Sequence, residues 1–188
     1  MATDKTSHPD FTESTLDSRE AFCGKLLHVF DDRVRLPDGH ESRREYVRHP
    51  GAVIIVPFLD AETLLLERQF RYAMGRHFIE FPAGKMEPGE PPLETARREL
   101  LEETGYAAAD WKHLATTHPC IGYSDEVIEL FVARGLSYEG HRRDAGEFLE
   151  VLKLSRAELL AAIRSGTITD TKTVFAMLWL EQFAADSL

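Results

Sequence analysis

Hydrophobic residues recur at every second position in the first half of the chain, which is the period of a β-strand. Residues 22–47 alternate in this way on either side of a turn signal at 36–39, where proline, aspartate and glycine follow one another. An apolar run at 52–58 predicts a buried strand. Residues 64–70 are predicted to be its hairpin partner, and residues 76–81 a further short strand. The first half of the chain is therefore predicted to be mainly β-sheet.

The apolar spacing changes to that of a helix after residue 90. The two prolines at 91–92 suit a first helical turn, where backbone N–H groups have no partner within the helix. Leu93, Ala96 and Leu100 then form an apolar stripe at helical spacing. Gly105 supplies the left-handed stop, so one helix is predicted between these signals.

The rest of the chain alternates again and then becomes helical. Further strands are predicted, at 111–117, 126–133 and 149–154. Ser155 and Glu158 form a capping box that opens a helix ending at Gly166. Asp170 or Thr171 caps a last amphipathic helix. Strands dominate and helices are few, so the predicted fold class is α+β.

The pattern also predicts how the chain is divided. Residues 1–18 are polar and charged and are expected to be a mobile tail. Residues 19–48 are expected to form an N-terminal β-hairpin subdomain. An isolated hairpin is marginal in water, so this subdomain is expected to pair with a second copy in a homodimer. The alternative is that it folds onto its own domain, residues 49–188.

Composition limits the classes of function. The chain has 188 residues and a formal net charge of −10, which excludes a general nucleic-acid binder and disfavours an anionic membrane surface. Its two cysteines, Cys23 and Cys120, permit at most one disulfide and favour a cytoplasmic protein. No apolar run suits a signal peptide or spans a bilayer. An acidic protein that binds a polyanion needs metal ions or a focused set of arginines.

Three glutamates stand at the C-terminal end of the helix predicted before Gly105. Glu99, Glu102 and Glu103 project from one helix face. Like charges at this spacing cost about 0.2–0.5 kcal/mol per pair, and the helix dipole disfavours each anion by about 0.3–1 kcal/mol. With no nearby compensation, the arrangement predicts a hard divalent cation such as Mg²⁺ or Mn²⁺. The alternative is a solvated acidic helix face.

A longer motif surrounds these glutamates. It runs from Gly84 through Glu90 to residues 98–106, Arg-Glu-Leu-Leu-Glu-Glu-Thr-Gly-Tyr. It resembles the conserved box of the Nudix hydrolases at every fixed position, with Tyr106 in the slot of an aliphatic residue. The resemblance implies an α/β/α sandwich around a mixed β-sheet and a loop–helix–loop that holds Mg²⁺, with Mn²⁺ as a substitute.

The same resemblance assigns roles to the residues of the box. The implied metal ligands are Glu99, Glu103, Glu102 and the backbone carbonyl of Ala83. Arg98 and Glu90 would brace the loop and orient these ligands. Gly84 would permit the tight turn and a close approach of the backbone to the metal.

Residues outside the box resemble the ADP-ribose pyrophosphatase branch of the family. The segments are 68–72, Arg-Gln-Phe-Arg-Tyr, and 80–84, Glu-Phe-Pro-Ala-Gly. By this resemblance Arg71 binds a phosphate, for which its planar fork of donors is suited. Glu80 would help to hold the metal or the substrate, and the alternative for it is a paired strand charge.

Two more regions are implied to meet the substrate. The loop that contains Gly122 resembles the substrate loop of the branch, although Ile121 occupies the slot of its usual proline. Arg44 resembles a residue that reaches the nucleotide from a neighbouring subunit, and Arg43 or Arg48 could do so instead. The departure at residue 121 leaves the sugar open but not the hydrolysis.

Hydrolysis also requires a base that takes a proton from water. Glu147 lies in a segment that supplies a late metal ligand or base in the relatives, although a neighbouring position that is often glutamate is Ala145 here. Glu126 is the competing candidate. A surface carboxylate is the alternative reading for either residue.

The sequence therefore predicts an Mg²⁺-dependent enzyme that cleaves ADP-ribose to AMP and ribose 5-phosphate. GDP-mannose or another nucleotide sugar is the alternative substrate, because the box is common to all these enzymes. A non-catalytic ligand sensor or regulator on the same fold is the alternative from another class. Such proteins usually lose box carboxylates, whereas this sequence keeps every one.

Overall fold

The computed structural model describes residues 8–140, 146 and 148–184, which form two compact units. The N-terminal unit extends to His49 and includes Cys120–Asp125. The second unit comprises Pro50–Pro119 and resumes at Glu126. The segment Cys120–Asp125 joins the N-terminal unit through a bridge between Val47 and Ser124.

The N-terminal unit is a three-stranded antiparallel sheet in the order β1-β2-β3. Its strands are β1 (Ser14–Cys23), β2 (His28–Arg35) and β3 (Glu41–Arg48). The turn between β2 and β3 is where the sequence predicts it. There the amide of Gly39 donates to the carbonyl of Leu36 at 2.9 Å, and the φ of Gly39 is 88°. Glycine adopts this left-handed conformation at little cost.

The predicted N-terminal tail is too long, and the predicted hairpin lacks a strand. Residues 14–18 belong to β1, which pairs with β2 from Ser14 opposite Arg35 to Cys23 opposite His28. All ten residues of β1 are exposed, so the strand has no periodic apolar face. Backbone hydrogen bonds to β2 hold it, and hydrophobic periodicity cannot reveal that kind of pairing.

The second unit contains the remaining strands and the helices of the described chain. The strands are β4 (Ala52–Pro57), β5 (Thr63–Arg71), β6 (Arg76–Glu80), β7 (Ala83–Lys85), β8 (Tyr106–Thr117), β9 (Ile128–Tyr138) and β10 (Leu149–Ser155). The α-helices are α1 (Pro92–Glu99), α2 (Arg156–Arg164) and α3 (Thr171–Trp179). Two π-helical segments continue α1 and α3, Leu100–Thr104 and Leu180–Ala184. Among the described residues, every helix is too short or too polar to cross a membrane.

Strand β4 lies inside a mixed four-stranded sheet in the order β7-β4-β9-β8. It pairs in parallel with β9 and antiparallel with β7, and all six of its residues are buried. Ile54 and Val56 face a core shared with β5, α2 and α3, whereas Val53 and Ile55 face a core shared with α1. This alternation covers both faces of the sheet with helices. The α+β fold around a mixed sheet is confirmed.

The predicted hairpin of β4 and β5 is wrong. Strand β5 lies in a second antiparallel sheet, in the order β10-β5-β6. In the described chain, the bridge next to β4 joins only Phe58 to Leu64. The turn between them is held by Asp60, whose carboxylate accepts from the amides of Glu62 and Thr63. Both strands are apolar and short, and that pattern does not specify which neighbour each one pairs with.

Candidate active site

The helix that carries the box changes its pitch at the glutamates. Glu99 ends α1, and Leu100–Thr104 continues as a π-helix, a form found mostly as short segments at functional sites. Gly105 ends the segment with a left-handed φ of 78°, as predicted. Leu100 and Glu103 are 0% and 4% exposed. Glu103 is therefore a buried carboxylate, and the solvated acidic face does not describe it.

Arg98 joins three carboxylates in a group that we name the Arg98 cluster, formed by Arg98, Glu90, Glu99 and Glu102. Its guanidinium donates to Glu90 at 3.0 Å, to Glu99 at 2.8 Å and to Glu102 at 3.0 Å. It also donates to the carbonyl of Lys85 at 3.2 Å. The expectation that the glutamates have no nearby compensation is therefore wrong. One cation offsets part of their repulsion, and Arg98 orients Glu99 and Glu102.

The titration of this cluster reflects that pairing. The hydrogen bonds from Arg98 lower the pKa of Glu90 to about 2, with smaller contributions from Thr95 and the amide of Glu87. The same hydrogen bond to Glu90, followed by the charge of Glu99, raises the pKa of Arg98. Glu90 therefore stays ionised and braced against the helix throughout the neutral range.

The loop before the helix fits closely against two of the box glutamates. A Cβ atom added to Gly84 would lie only 1.9 Å from Cδ of Glu99, so any larger residue here would displace the Glu99 carboxylate. The amide of Ala83 donates to Oε2 of Glu103 at 3.1 Å. Ala83 and Gly84 belong to β7, which pairs with the buried strand β4. The central sheet thus positions the backbone against both carboxylates.

These residues suit a hard divalent cation. Carboxylate oxygens of Glu99 and Glu103 stand beside a short strand whose backbone approaches them closely, and Glu102 shares Arg98 with Glu99. All these donors are oxygens, which Mg²⁺ and Mn²⁺ prefer. Negative charge also exceeds the positive charge that Arg98 supplies. The structure therefore brings together the predicted ligands Ala83, Glu99 and Glu103. It also leaves an excess of negative charge there, which a bound cation would neutralise.

A second set of charges lies at the end of β6, and we name it the Glu80 network: Arg71, Glu80, Asp170 and Lys172. Nε and Nη2 of Arg71 each donate to a different oxygen of Glu80 at 2.8 Å. Nζ of Lys172 donates to Glu80 at 3.1 Å and to Asp170 at 2.7 Å. Glu80 is only 2% exposed, so its two cations compensate a desolvated charge.

Helix α3 anchors this network. Asp170 caps the helix by accepting from the amide and the hydroxyl of Thr173, at 2.9 and 2.8 Å. The hydroxyl of Thr173 in turn accepts from the amide of Phe81 at 2.9 Å. Burial lowers the pKa of Lys172, but the charges of Asp170 and Glu80 outweigh it and raise the pKa overall. The helix cap, the lysine and strand β6 therefore form one connected unit.

Electrostatics also connect Arg71 to the box. The hydrogen bond to Glu80 is the main cause that raises the pKa of Arg71, and the charges of Glu67 and Glu103 add to it. Glu67 is fully buried and lies opposite Glu80 in the β5–β6 register. Arg71 therefore lies in the field of three carboxylates while its side chain stays 41% exposed. That suits a residue that meets an anionic substrate.

Sequence reasoning missed Glu67, Asp170 and Lys172 as members of the site. Glu67 follows directly after three leucines that are fully buried, and a carboxylate at the end of such a run is a signal of an unusual environment. Asp170 was identified only as a helix cap. Nothing in the local sequence distinguishes Lys172 from a surface lysine, because its partner Glu80 lies far away along the chain.

The other predicted site residues are distributed over both units of the chain. Glu126 is half-buried and precedes β9 in the second unit. Arg44 and Gly122 belong to the N-terminal unit, where both are exposed. Nε of Arg44 donates to Glu13 at 2.8 Å. Glu147 lies outside the described residues.

Comparison with known proteins shows the family to which these site residues belong. The family model of the NUDIX domain matches residues 48–171. This range includes the box and every member of the Glu80 network except Lys172. This chain belongs to the Nudix family. The Nudix chain is 37% identical over 171 residues to an ADP-ribose pyrophosphatase of Bacillus subtilis (strain 168), covering 90% of this chain and 92% of that protein.

Two further similarities extend over nearly the whole Nudix chain. It is 38% identical over 173 residues to a methanol dehydrogenase activator of Bacillus methanolicus, covering 91% of this chain and 94% of that protein. A crystal structure of an ADP compounds hydrolase superimposes with a TM-score of 0.85 at 23% identity, covering 95% of this chain and 98% of the other. At that identity the superposition establishes the Nudix fold.

Proposed function

We propose that this Nudix protein hydrolyses the diphosphate bond of ADP-ribose in the presence of Mg²⁺, or Mn²⁺ in its place, and releases AMP and ribose 5-phosphate. The observation that carries the proposal is the complete set of box carboxylates, with Glu103 buried against the amide of Ala83. A protein that only sensed a ligand would have no use for such crowded charge. The relative in Bacillus subtilis named ADP-ribose pyrophosphatase supports the choice of substrate.

Glu99, Glu103, Glu102 and the carbonyl of Ala83 would hold the metal. When bound, a divalent ion neutralises a diphosphate and lowers the pKa of a water molecule. Arg98 holds Glu99 and Glu102 in place, so their side chains need little reorganisation. Glu126 or Glu147 takes the proton of the attacking water in this proposal. Positioning and electrostatic stabilisation supply most of the rate, as is general for phosphoryl chemistry.

Arg71 would bind a phosphate of the substrate. Its two hydrogen bonds to Glu80 use Nε and Nη2, so the guanidinium is already oriented and Nη1 is not used in this pair. Glu80 and Lys172 then act through Arg71, by fixing the direction in which the guanidinium points. Gly122 belongs to a loop that would contact the sugar.

A substrate panel tests this function. The purified protein with Mg²⁺ should cleave ADP-ribose with a higher kcat/KM than GDP-mannose or a nucleoside triphosphate, with AMP and ribose 5-phosphate as products. The Glu103→Gln variant, purified in the same way, measures any contaminating activity. GDP-mannose or a triphosphate turned over about tenfold more efficiently than ADP-ribose would overturn the assignment.

We also propose that the protein is a homodimer. Within the described part of the N-terminal unit, Val34 is the only hydrophobic side chain that is buried, whereas large apolar side chains are exposed. The most exposed are Phe11, Phe22, Leu26, Leu27, Ile121 and Tyr123. Apolar surface of this extent on so small a sheet favours burial against a second copy. Light scattering should give a mass near twice 21.3 kDa.

Complementation tests whether Arg44 serves the partner's site. Arg44→Gln and Glu103→Gln should each be inactive as homodimers. If Arg44 acts across the interface, subunit exchange should restore about a quarter of wild-type activity, because half the dimers are mixed and each has one intact site of two. A mixture that stays inactive while the subunits demonstrably exchange would place Arg44 at the site of its own chain.

We also propose a compartment, which the state of the cysteines supports. Cys23 and Cys120 are both free thiols in the described structure. Free thiols are typical of a reducing environment, so we propose a cytoplasmic protein that has a small nucleotide sugar, and neither nucleic acid nor membrane, as its partner.

A further inference from the structure

Three side chains with metal-binding atoms meet at one end of the N-terminal sheet. Glu20 and Cys23 lie on β1, and His28 begins β2 after the turn in which the amide of Gly24 donates to the carbonyl of Leu27 at 2.8 Å. Their ligand atoms all lie within 4.8 Å of one another. All three residues belong to the N-terminal unit, whereas the box carboxylates belong to the second unit.

The register of the strands explains why these three meet. Cys23 lies directly opposite His28, and Glu20 lies opposite Phe30. Residues 20 and 23 of a regular strand would point to opposite faces, because side chains alternate. A bulge between Glu20 and Phe22 inserts one residue and reverses that alternation. Glu20 therefore shares a face with Cys23, and bulges are retained where a side chain must be redirected.

The distances are close to those of a tetrahedral metal site. Nδ1 of His28 lies 3.7 Å from Sγ of Cys23 and 2.7 Å from Oε1 of Glu20. Around Zn²⁺, with bonds of about 2.3 Å to sulfur and about 2.0–2.1 Å to nitrogen and oxygen, these separations would be about 3.6 and 3.4 Å. The sulfur and nitrogen thus need almost no movement. The Glu20 oxygen must lie about 0.7 Å farther from Nδ1 than it does here, and an exposed carboxylate can change its rotamer.

We propose that Glu20, Cys23 and His28 form a binding site for a transition-metal ion of the Zn²⁺ type, with water as the fourth ligand. Thiolate and imidazole are softer donors than the carboxylates of the box and favour Zn²⁺ over Mg²⁺. The ion would cross-link β1 to β2, and β1 otherwise has ten exposed residues and no buried apolar side chain. The bound ion would therefore stabilise β1, which hydrophobic burial does not stabilise.

Metal binding must overcome the proton affinity of the thiol. The pKa of the Cys23 thiol is raised, chiefly by the charge of Glu20 and then by burial, because a thiolate would stand beside a carboxylate. A divalent ion removes that repulsion. On binding, the thiol releases its proton to solvent and the neutral imidazole offers its Nδ1 lone pair, so no oxidant or reductant is needed.

Cobalt(II) is the probe for this site, in the full-length protein with millimolar Mg²⁺ to occupy the box. A thiolate ligand gives a charge-transfer absorption in the near ultraviolet that carboxylate ligands do not give. The wild type should titrate to one such site per chain, and Zn²⁺ should displace the cobalt. Cys23→Ser should abolish the band, and His28→Gln should weaken cobalt affinity by about tenfold or more.

Matched controls exclude the other donors. Cys120→Ser removes the second thiol and should leave the titration unchanged. His113→Gln breaks a comparable pair, in which Nε2 lies 2.6 Å from Glu129 without a cysteine, and it should also change nothing. No band in the wild type, or a band that survives Cys23→Ser, would overturn the proposal and leave Glu20 and His28 as a surface ion pair. Either result is independent of ADP-ribose hydrolysis.

Discussion

The Arg98 cluster and the Glu80 network use the same residue types in opposite proportions. In the Arg98 cluster one guanidinium serves three carboxylates. In the Glu80 network two cations, Arg71 and Lys172, serve Glu80 and Asp170. The balanced network is complete by itself and can be buried. The cluster with excess negative charge stays partly exposed and needs a cation from solvent, so surplus charge distinguishes a metal site from a structural one.

The largest expected effect concerns the box glutamates, where negative charge is in excess. Glu99→Gln and Glu103→Gln should each reduce turnover of ADP-ribose by at least about a hundredfold, since even the residues that support metal ligands contribute about 10- to 100-fold. Circular dichroism should show an intact fold. Glu94→Gln is the control, because Glu94 is an exposed residue of the same helix, 57% exposed. Turnover close to the wild type in either variant would remove the metal assignment.

The next prediction compares how changes in the Arg98 cluster and in the Glu80 network affect the free energy of unfolding. Lys172→Met should lower the free energy of unfolding by about 3 kcal/mol, because it leaves Glu80 buried with one cation fewer. Arg98→Gln should also destabilise the metal-free protein, but Mg²⁺ should recover part of that loss by neutralising Glu99. Mg²⁺ should not recover the loss in Lys172→Met beyond its effect on the wild type. Urea unfolding of the wild type and both variants, with EDTA and with Mg²⁺, gives all six values.

Arg97→Gln is the control for that experiment. Arg97 makes only a long exposed contact of 3.8 Å with Glu94. Its unfolding free energy should therefore stay within about 0.5 kcal/mol of the wild type. Equal recovery of Arg98→Gln and Lys172→Met by Mg²⁺ would mean that surplus charge does not distinguish the two groups.

Arg71 is the member of the Glu80 network that we expect to meet substrate. Arg71→Gln should raise KM for ADP-ribose by about tenfold or more, since a hydrogen bond to a charged group contributes about 1.5–3 kcal/mol. Its kcat should fall less. Steady-state kinetics at saturating Mg²⁺ separate the two parameters. A fall in kcat with KM unchanged would instead move Arg71 to the reacting centre.

The smallest effect concerns pH. Glu90 has a folded pKa of about 2, lowered from 4.5 mainly by Arg98. A lowered folded pKa gives stability that is fully present above about pH 4.5 and is lost as pH falls towards 2. The stability difference between the metal-free wild type and Glu90→Gln should therefore shrink across that interval. Urea unfolding at pH 6, 4 and 3 measures it, and a difference that stays constant would contradict the role of Arg98.

Local signals in the sequence predicted the elements that carry the box. The fully buried strand β4, the left-handed Gly105 and the capping box at Ser155 all lie where the pattern places them. Each of these signals involves residues only a few positions apart. The pairing of Arg71 with Glu80 is also local, because a short turn joins β5 to β6, but the pattern alone gave Glu80 only the alternative of a paired charge and did not identify its partner.

The features that sequence reasoning missed depend on distant or backbone contacts. Strand β1 has no apolar face, and β5 selects β6 and β10 rather than β4. Lys172 meets Glu80 only after α3 has packed beside β6. The π-helical turn at Leu100–Thr104, which contains the buried Glu103, likewise has no signal in the local pattern.

The parallel pairing of β4 with β9 determines when the site can form during folding. Ala52 pairs with Ile128 and Pro57 with Ala133, so a long segment must close before these strands meet. The whole box lies within that segment. Closure of so large a loop is entropically costly and slow. The sheet positions the metal ligands, so they cannot bind a metal before β4 and β9 have paired. Mg²⁺ should therefore slow unfolding while leaving the refolding rate nearly unchanged.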